Sequence, residues 1–189
     1  MSQRKMSLLI VLGALPLTAC ASEIEAEPSP PCDQACQDGN ALRAVRESMK
    51  LIYNLTLQGN PVGMQDEVIP CPQGGFARVF GTATSNSMQG ATEVELAYAF
   101  QECSYLRRDE DPGENHDLVM TGLIGQKGTI AVQPSATTAL LIASESITLS
   151  GTIYDPPIEY AIESCALLLS QTGSDLSGTI CGRVAGVDL

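Results

Sequence analysis

Residues 92–100 read TEVELAYAF. Apolar and polar or small side chains alternate here with a period of two. Val94, Leu96, Tyr98 and Phe100 fall on one side, and Glu93, Glu95, Ala97 and Ala99 on the other. Successive residues of an extended strand point to opposite faces, so the pattern predicts an antiparallel strand with one face buried and one in water. Glu93 and Glu95 are expected on the solvated face. They are not spaced like a carboxylate pair facing across a cleft.

The same period governs the chain from Cys71 onward. GGFARVFGTATS (74–85) precedes the strand across a loop at 86–91. Further strands are expected at 117–124, 129–133, 139–144, 146–154, 158–165, 166–171 and 176–184. Gly125-Gln126-Lys127-Gly128, Asp155-Pro156-Pro157 and Thr172-Gly173-Ser174-Asp175 have the residue chemistry of turns. A short echo runs through this region: GTAT at 81–84, GTI at 128–130, and SGTI at 150–153 and 177–180. Glycine inside a strand marks a bulge, a bend or the close approach of another backbone. The irregular spacing of the echoes points to a curved meander and not to a solenoid.

Ahead of the strands the period changes. In CDQACQDGNALRAVRESMKLIYNLTLQGNP (32–61), Leu42, Val45, Met49 and Ile52 recur every three or four residues, while Arg43, Arg46, Glu47 and Lys50 occupy other faces. This predicts an amphipathic helix over 33–57, with a break at Gly39-Asn40, ended by Gly59-Asn60-Pro61. The expected fold class is α+β and mainly β. One N-terminal helix packs on a strongly curved antiparallel meander sheet of about eight strands that bends towards a barrel. An immunoglobulin-like sandwich is the alternative, weakened by the absence of tryptophan.

The chain opens MSQRKMSLLIVLGALPLTAC. Arg4 and Lys5 form a positive start. The apolar run from Leu8 to Leu15 matches a signal-peptide core and is too short to span a bilayer. Leu17-Thr18-Ala19-Cys20 resembles the lipobox of bacterial lipoproteins. That resemblance implies cleavage before Cys20, a diacylglycerol on its thiol and a second acylation of its amino group, which together hold a protein durably at a membrane. It also implies a place in the bacterial cell envelope. Ala21, where an aspartate favours the inner membrane in enterobacteria, leans the expectation towards the outer membrane. The acidic, Pro-rich ASEIEAEPSPP (21–31) reads as a tether. The expected organisation is therefore a signal peptide at 1–19, a tether at 20–31 and a single domain at 32–189, its β region running over 71–189.

The chain has seven cysteines. With Cys20 carrying lipid, six remain, an even set in an oxidising compartment. A hairpin centred on Gly173 places residue i opposite residue 346−i, so Cys165 faces Cys181, within bridging distance. Cys71 and Cys103 bracket the hairpin of 74–100 and meet at its open end. Cys32 and Cys36 remain; four apart on a helix, they share a face. Neither their spacing nor their context matches a thioredoxin-like site, and one histidine leaves zinc short of ligands.

The whole chain has 10 basic and 22 acidic residues; loss of Arg4 and Lys5 with the signal leaves 8 against 22, a net charge of −14. Nucleic acid is excluded as a partner, since phosphate binding needs a basic surface. The most polar stretch is RRDEDPGENHD (107–117). Asp109, Asp111, Asn115 and Asp117 alternate as oxygen ligands do in calcium loops, but Gly113, Glu114 and Met120 break the loop pattern. A solvated loop is expected, with the sole histidine, His116, on the surface. No G-x-S-x-G elbow, H-E-x-x-H, P-loop or dinucleotide fingerprint is present, and no cofactor is implied. The expected function is a non-enzymatic structural or interaction domain with an envelope protein as partner. The alternative is a carrier of a small apolar ligand or lipid on the inner face of the sheet, lined by Val94, Leu96, Tyr98 and Phe100.

Overall fold

A computed structural model describes residues 31–57, 63–86 and 88–189. Cys20, the lipobox and nearly all of the tether lie outside them. The helix α1 spans Gln34–Thr56. The strands are β1 (Gly63–Pro70), β2 (Phe76–Asn86), β3 (Ala91–Arg107), β4 (His116–Ala131), β5 (Ala139–Ile153), β6 (Ile158–Thr172), β7 (Asp175–Ile180) and β8 (Arg183–Asp188). A single 3-10 turn at Pro112–Glu114 lies between β3 and β4. All eight strands form one antiparallel sheet in the order β1 to β8, each paired with its neighbour in sequence. Its edges, β1 and β8, do not pair, so the sheet is curled but open. One sheet also excludes the sandwich.

α1 starts where Asp33 accepts a hydrogen bond from the Cys36 amide at 3.0 Å, a side-chain cap for an otherwise unbonded donor. It runs unbroken through Gly39-Asn40. Glycine is needed there for contact: a Cβ on Gly39 would lie 3.1 Å from the Gly186 carbonyl of β8. Leu42, Val45, Met49 and Ile52 are wholly buried against Val94, Leu96, Tyr98 and Phe100 of β3 and the inward residues of the later strands. The helix touches β1, β2, β3, β4, β5, β7 and β8. Only a sheet that wraps round a helix can bring so many strands onto it.

The repeated glycines supply the wrap. Gly81, Gly128, Gly151 and Gly178, the glycines of the echo, have φ of 131°, 135°, 142° and 156°. At each, a Cβ would stand 2.1 to 2.2 Å from a carbonyl oxygen of the adjacent strand. A side chain would forbid both the conformation and the approach.

The strands are longer than their alternation suggests. The expected turn at 125–128 lies inside β4, and the paired segments expected at 139–144 and 146–154, and at 158–165 and 166–171, are each one strand. In β4 the alternation runs on through Ile124 and Gln126, and only the turn-like chemistry of 125–128 interrupts it; in β5 and β6, register shifts at Ser144/Ile147 and Ile147/Leu149 break the pattern. A bulge inserts a residue, reverses the inward–outward parity and so reads as a strand end. The segment 176–184 is instead split, because Cys181 and Gly182 turn the chain at φ of 51° and 75°. β1 was not expected at all. It is exposed along most of both faces and shows no alternation.

Three disulfides join the pairs named above: Cys32–Cys36, Cys71–Cys103 and Cys165–Cys181, with Cα separations of 5.2, 5.4 and 5.0 Å. The last is reached by a different route. Thr172 pairs with Asp175 and Leu167 with Ile180, so residue i faces 347−i, and Cys181 closes the link from the β7–β8 turn.

The first half of α1 is tied to the sheet by Asp38. This carboxylate accepts two bonds from Arg183 (2.7 and 2.8 Å), one from the Tyr160 hydroxyl (2.8 Å) and one from Gln34 (3.0 Å). Burial alone would raise its pKa; the bonds from Arg183, Tyr160 and Gln34 outweigh that and hold it below the usual value.

Two glycines of the expected turn separate curvature from mere position. A Cβ at Gly125 meets only the Ala143 oxygen, at 3.7 Å, whereas one at Gly128 meets the Ala139 oxygen at 2.2 Å. Urea denaturation should therefore show Gly128→Ala destabilised by about 3 kcal/mol or more and Gly125→Ala by less than about 1 kcal/mol. Equal losses would mean that the close approach at Gly128 does not shape the sheet.

Candidate functional site

The polar loop after β3 is solvated at 108–111, as expected, and docked on α1 at its ends. Arg107 pairs with Glu47 of α1 and with Glu114, and lies 3.1 Å from Asp109 Oδ2. Arg43 donates to the Gly113 carbonyl at 3.2 Å and the Asp188 carbonyl at 2.6 Å. Asn115 and His116, at 4 % and 1 % exposure, are buried. The expectation of a surface histidine is thus corrected: the loop folds back onto α1 and covers the ring.

The four oxygen-bearing residues do not converge. Asp109 Oδ1 accepts from the Glu110 amide, and Asp111 Oδ1 from the Gly113 amide. Asn115 Oδ1 accepts from the Asp109 amide at 2.6 Å, while Asp117 lies on β4 opposite Thr152. Among the described residues no group of three or more His, Cys, Asp or Glu side chains is placed to hold a metal. Glu93 and Glu95 are exposed, Glu95 lying 3.4 Å from Lys127.

His116 has no catalytic company. Its Nδ1 lies 3.1 Å from the Glu114 carbonyl, and its Nε2, 3.9 Å from Glu47 Oε2, has no hydrogen-bond partner among the described residues. Among the described residues no serine is bonded to it. Burial, reinforced by Arg107, Arg43 and Arg108, pushes its pKa down to about 4.

A second polar cluster lies at the end of the curled sheet where α1 finishes. The β2–β3 turn, the β4–β5 connection and the β6–β7 turn gather there round the last turns of α1. They enclose a cavity of about 750 Å³. Its lining includes Arg46, Lys50, Tyr53 and Leu57 of α1, Thr92 of β3, Gln126 and Ile130 of β4, Val132 beyond it, and Gln171 of β6. The inner face of the sheet, which the alternative reading offers to an apolar ligand, is filled by α1.

The polar residues of this cavity are buried. Arg46, Thr92, Gln126 and Gln171 are 8 %, 2 %, 3 % and 5 % exposed. Arg46 Nε donates to Gln171 Oε1 at 2.6 Å, and Gln171 Nε2 donates to the Gly173 carbonyl at 2.8 Å, which fixes the glutamine. Tyr53 is hydrogen-bonded to Thr92. Gln126 Oε1 and the Tyr98 hydroxyl, both buried, have no partner among the described residues. Among the described residues Arg46 forms no ion pair. Burial lowers its pKa and Tyr98 opposes the shift, yet a guanidinium stays charged. Glu47 also borders the cavity, but Arg107 engages its carboxylate.

Arg46 was expected on a polar face of α1. In a helix enclosed by a sheet, much of that face is interior. Two of its neighbours were legible in part. Gln126 stands two residues after Ile124, and Gln171 two after Leu169, so both occupy inward positions of a strand, where a polar residue is unusual.

No protein-family model matches the chain, and neither a curated protein nor a solved structure matches it.

The buried histidine sets a pH dependence. Its folded pKa lies below the unfolded value near 6.5, so the unfolded chain takes up the proton first. Stability from this source is complete above pH 6.5 and lost as the pH falls towards 4, by about 3 kcal/mol in all. Urea midpoints between pH 7.5 and 4 should fall less steeply in His116→Asn than in the parent. Parallel slopes would mean that His116 titrates freely.

Proposed function

We propose that this chain is a lipid-anchored, non-enzymatic binding domain of the bacterial cell envelope. In this reading Cys20 holds it at the membrane, and the cavity at the end of the curled sheet takes a small ligand. The observation that carries the reading is the cavity itself. A folded domain normally satisfies its buried polar groups. Here Gln126 Oε1 and the Tyr98 hydroxyl lie buried at or beside an open volume with no partner among the described residues, and Arg46 lines the same volume with one hydrogen bond, to Gln171.

The sequence supports the anchor: a positive start, an apolar run, Leu17-Thr18-Ala19-Cys20 and an acidic, Pro-rich tether. The six remaining cysteines form three disulfides, which suits an oxidising compartment. Ala21 favours the outer membrane. His116, buried and without a serine partner among the described residues, does not serve as the base of a Ser–His–Asp site. The alternative of an apolar carrier on the inner face is weakened, because Leu42, Val45, Met49 and Ile52 of α1 occupy that face.

Two measurements test the two halves. Cys20→Ser should abolish radioactive palmitate labelling and release the protein from membranes; persistent labelling would overturn the anchor. Native mass spectrometry of the mature protein, extracted from its own envelope in mild detergent, should find a small molecule that is lost on unfolding. A chain that is always ligand-free would overturn the binding role.

A further inference from the structure

Arg46 carries one bond, from Nε to Gln171, and no counter-charge among the described residues. Residues 58–62, which follow α1, read QGNPV and contain no acid. A guanidinium with this little exposure is costly unless it is paired, because little water and no carboxylate of the described residues balances the charge. Ordered water would satisfy Gln126 and Tyr98. It would leave the charge of Arg46 unbalanced. Glu47, the acidic side chain on the lining, is engaged by Arg107, so what Arg46 lacks is an anion of its own.

We propose that the cavity is a receptor for a small organic carboxylate with an apolar body, its carboxylate paired with Arg46. The proposal rests on the cavity being a binding site, as set out above, and adds the class of ligand. Gln171 orients the guanidinium through Nε and leaves its other N–H groups for the ligand. Their planar fork matches the two oxygens of a carboxylate. Gln126, whose side chain makes no hydrogen bond among the described residues, stands as a further polar contact on the lining. Leu57, Ile130 and Val132 line the same volume and would cover an aliphatic chain. Inorganic phosphate would bring nothing to the apolar wall. The volume of about 750 Å³ is that of a small-molecule site.

The test uses the mature protein in detergent, with sodium octanoate, sodium acetate, octan-1-ol and inorganic phosphate as probes. Isothermal titration and thermal melting are run on the parent and on Arg46→Met, which keeps the length of the side chain and removes its charge. Octanoate should bind and raise the melting temperature, and should bind more tightly than acetate. Arg46→Met should weaken octanoate by at least about tenfold, while its own ligand-free melting temperature stays level or rises, because an unbalanced buried charge has gone.

Several results would overturn the proposal. Equal octanoate affinity in parent and variant is one. Octan-1-ol binding as well as octanoate is another, and would leave the cavity a binding site for neutral molecules. Phosphate outcompeting octanoate would keep an anion site and reject the carboxylate. If the variant melts far lower, the result is read on Arg46→Lys, which keeps the charge without the fork. Octanoate affinity equal to the parent's in that variant would overturn fork recognition, and a tenfold loss would support it. No binding of any probe, together with a ligand-free chain by native mass spectrometry, would overturn both this assignment and the binding role.

Discussion

The carbonyl oxygen of Ala139 stands where a side chain at position 128 would have to be, and the same approach recurs at Gly81, Gly151 and Gly178. Each lets the chain bend sharply and lets the next strand close in on it. Repeated through β2, β4, β5 and β7, these contacts turn a meander into a curl with an interior. A flat sheet of the same eight strands could bury only one side of α1. The curled one surrounds it, and most of what is distinctive in this molecule follows.

Enclosure changes the physics of the helix. Leu42, Val45, Met49 and Ile52 would be buried on any sheet. Asp38 and Arg46 would not; here both are interior. The two meet different ends. Asp38 is fully served, by Arg183, Tyr160 and Gln34, and it pins α1 to β6 and β8. Arg46 is held by one glutamine and faces open volume. A buried charge that is paired acts as a clasp, and one left unpaired asks for a ligand. His116 belongs with Asp38: it is locked under a docked loop, its charge suppressed by burial and three arginines.

Much of the fold was legible in the residues, and its misreadings share one cause. The alternation of TEVELAYAF, the 3.6-residue stripe of α1 and the cysteine spacings each report a local geometry, and those elements are where they were expected. Alternation failed at the bulges of β5 and β6, where an extra residue reverses parity, at 125–128 of β4, where turn-like residues masked an unbroken alternation, and at β1, which has no buried face to report. The glycine echo was visible as a repeat, but the carbonyl opposite each glycine belongs to another strand. The candidate site was less legible. Gln126 and Gln171 at inward positions were a signal in the alternation itself, whereas nothing in the helical pattern distinguished Arg46 from Arg43 or Lys50.

By itself, the sequence determined the element types, the pairing of cysteines that lie across a hairpin, and the expectation of a lipid anchor at Cys20. These rest on periodicity, turn chemistry and a motif of about twenty residues at one end, all of them short-range. Tertiary structure alone decided which polar side chains became interior and whether they found partners. That depends on how tightly the sheet curls, a property summed over residues from Gly81 to Gly178. Arg46 looked like any solvated arginine of an amphipathic helix. It became the buried cation of a cavity because strands far from it in sequence closed round the helix that carries it.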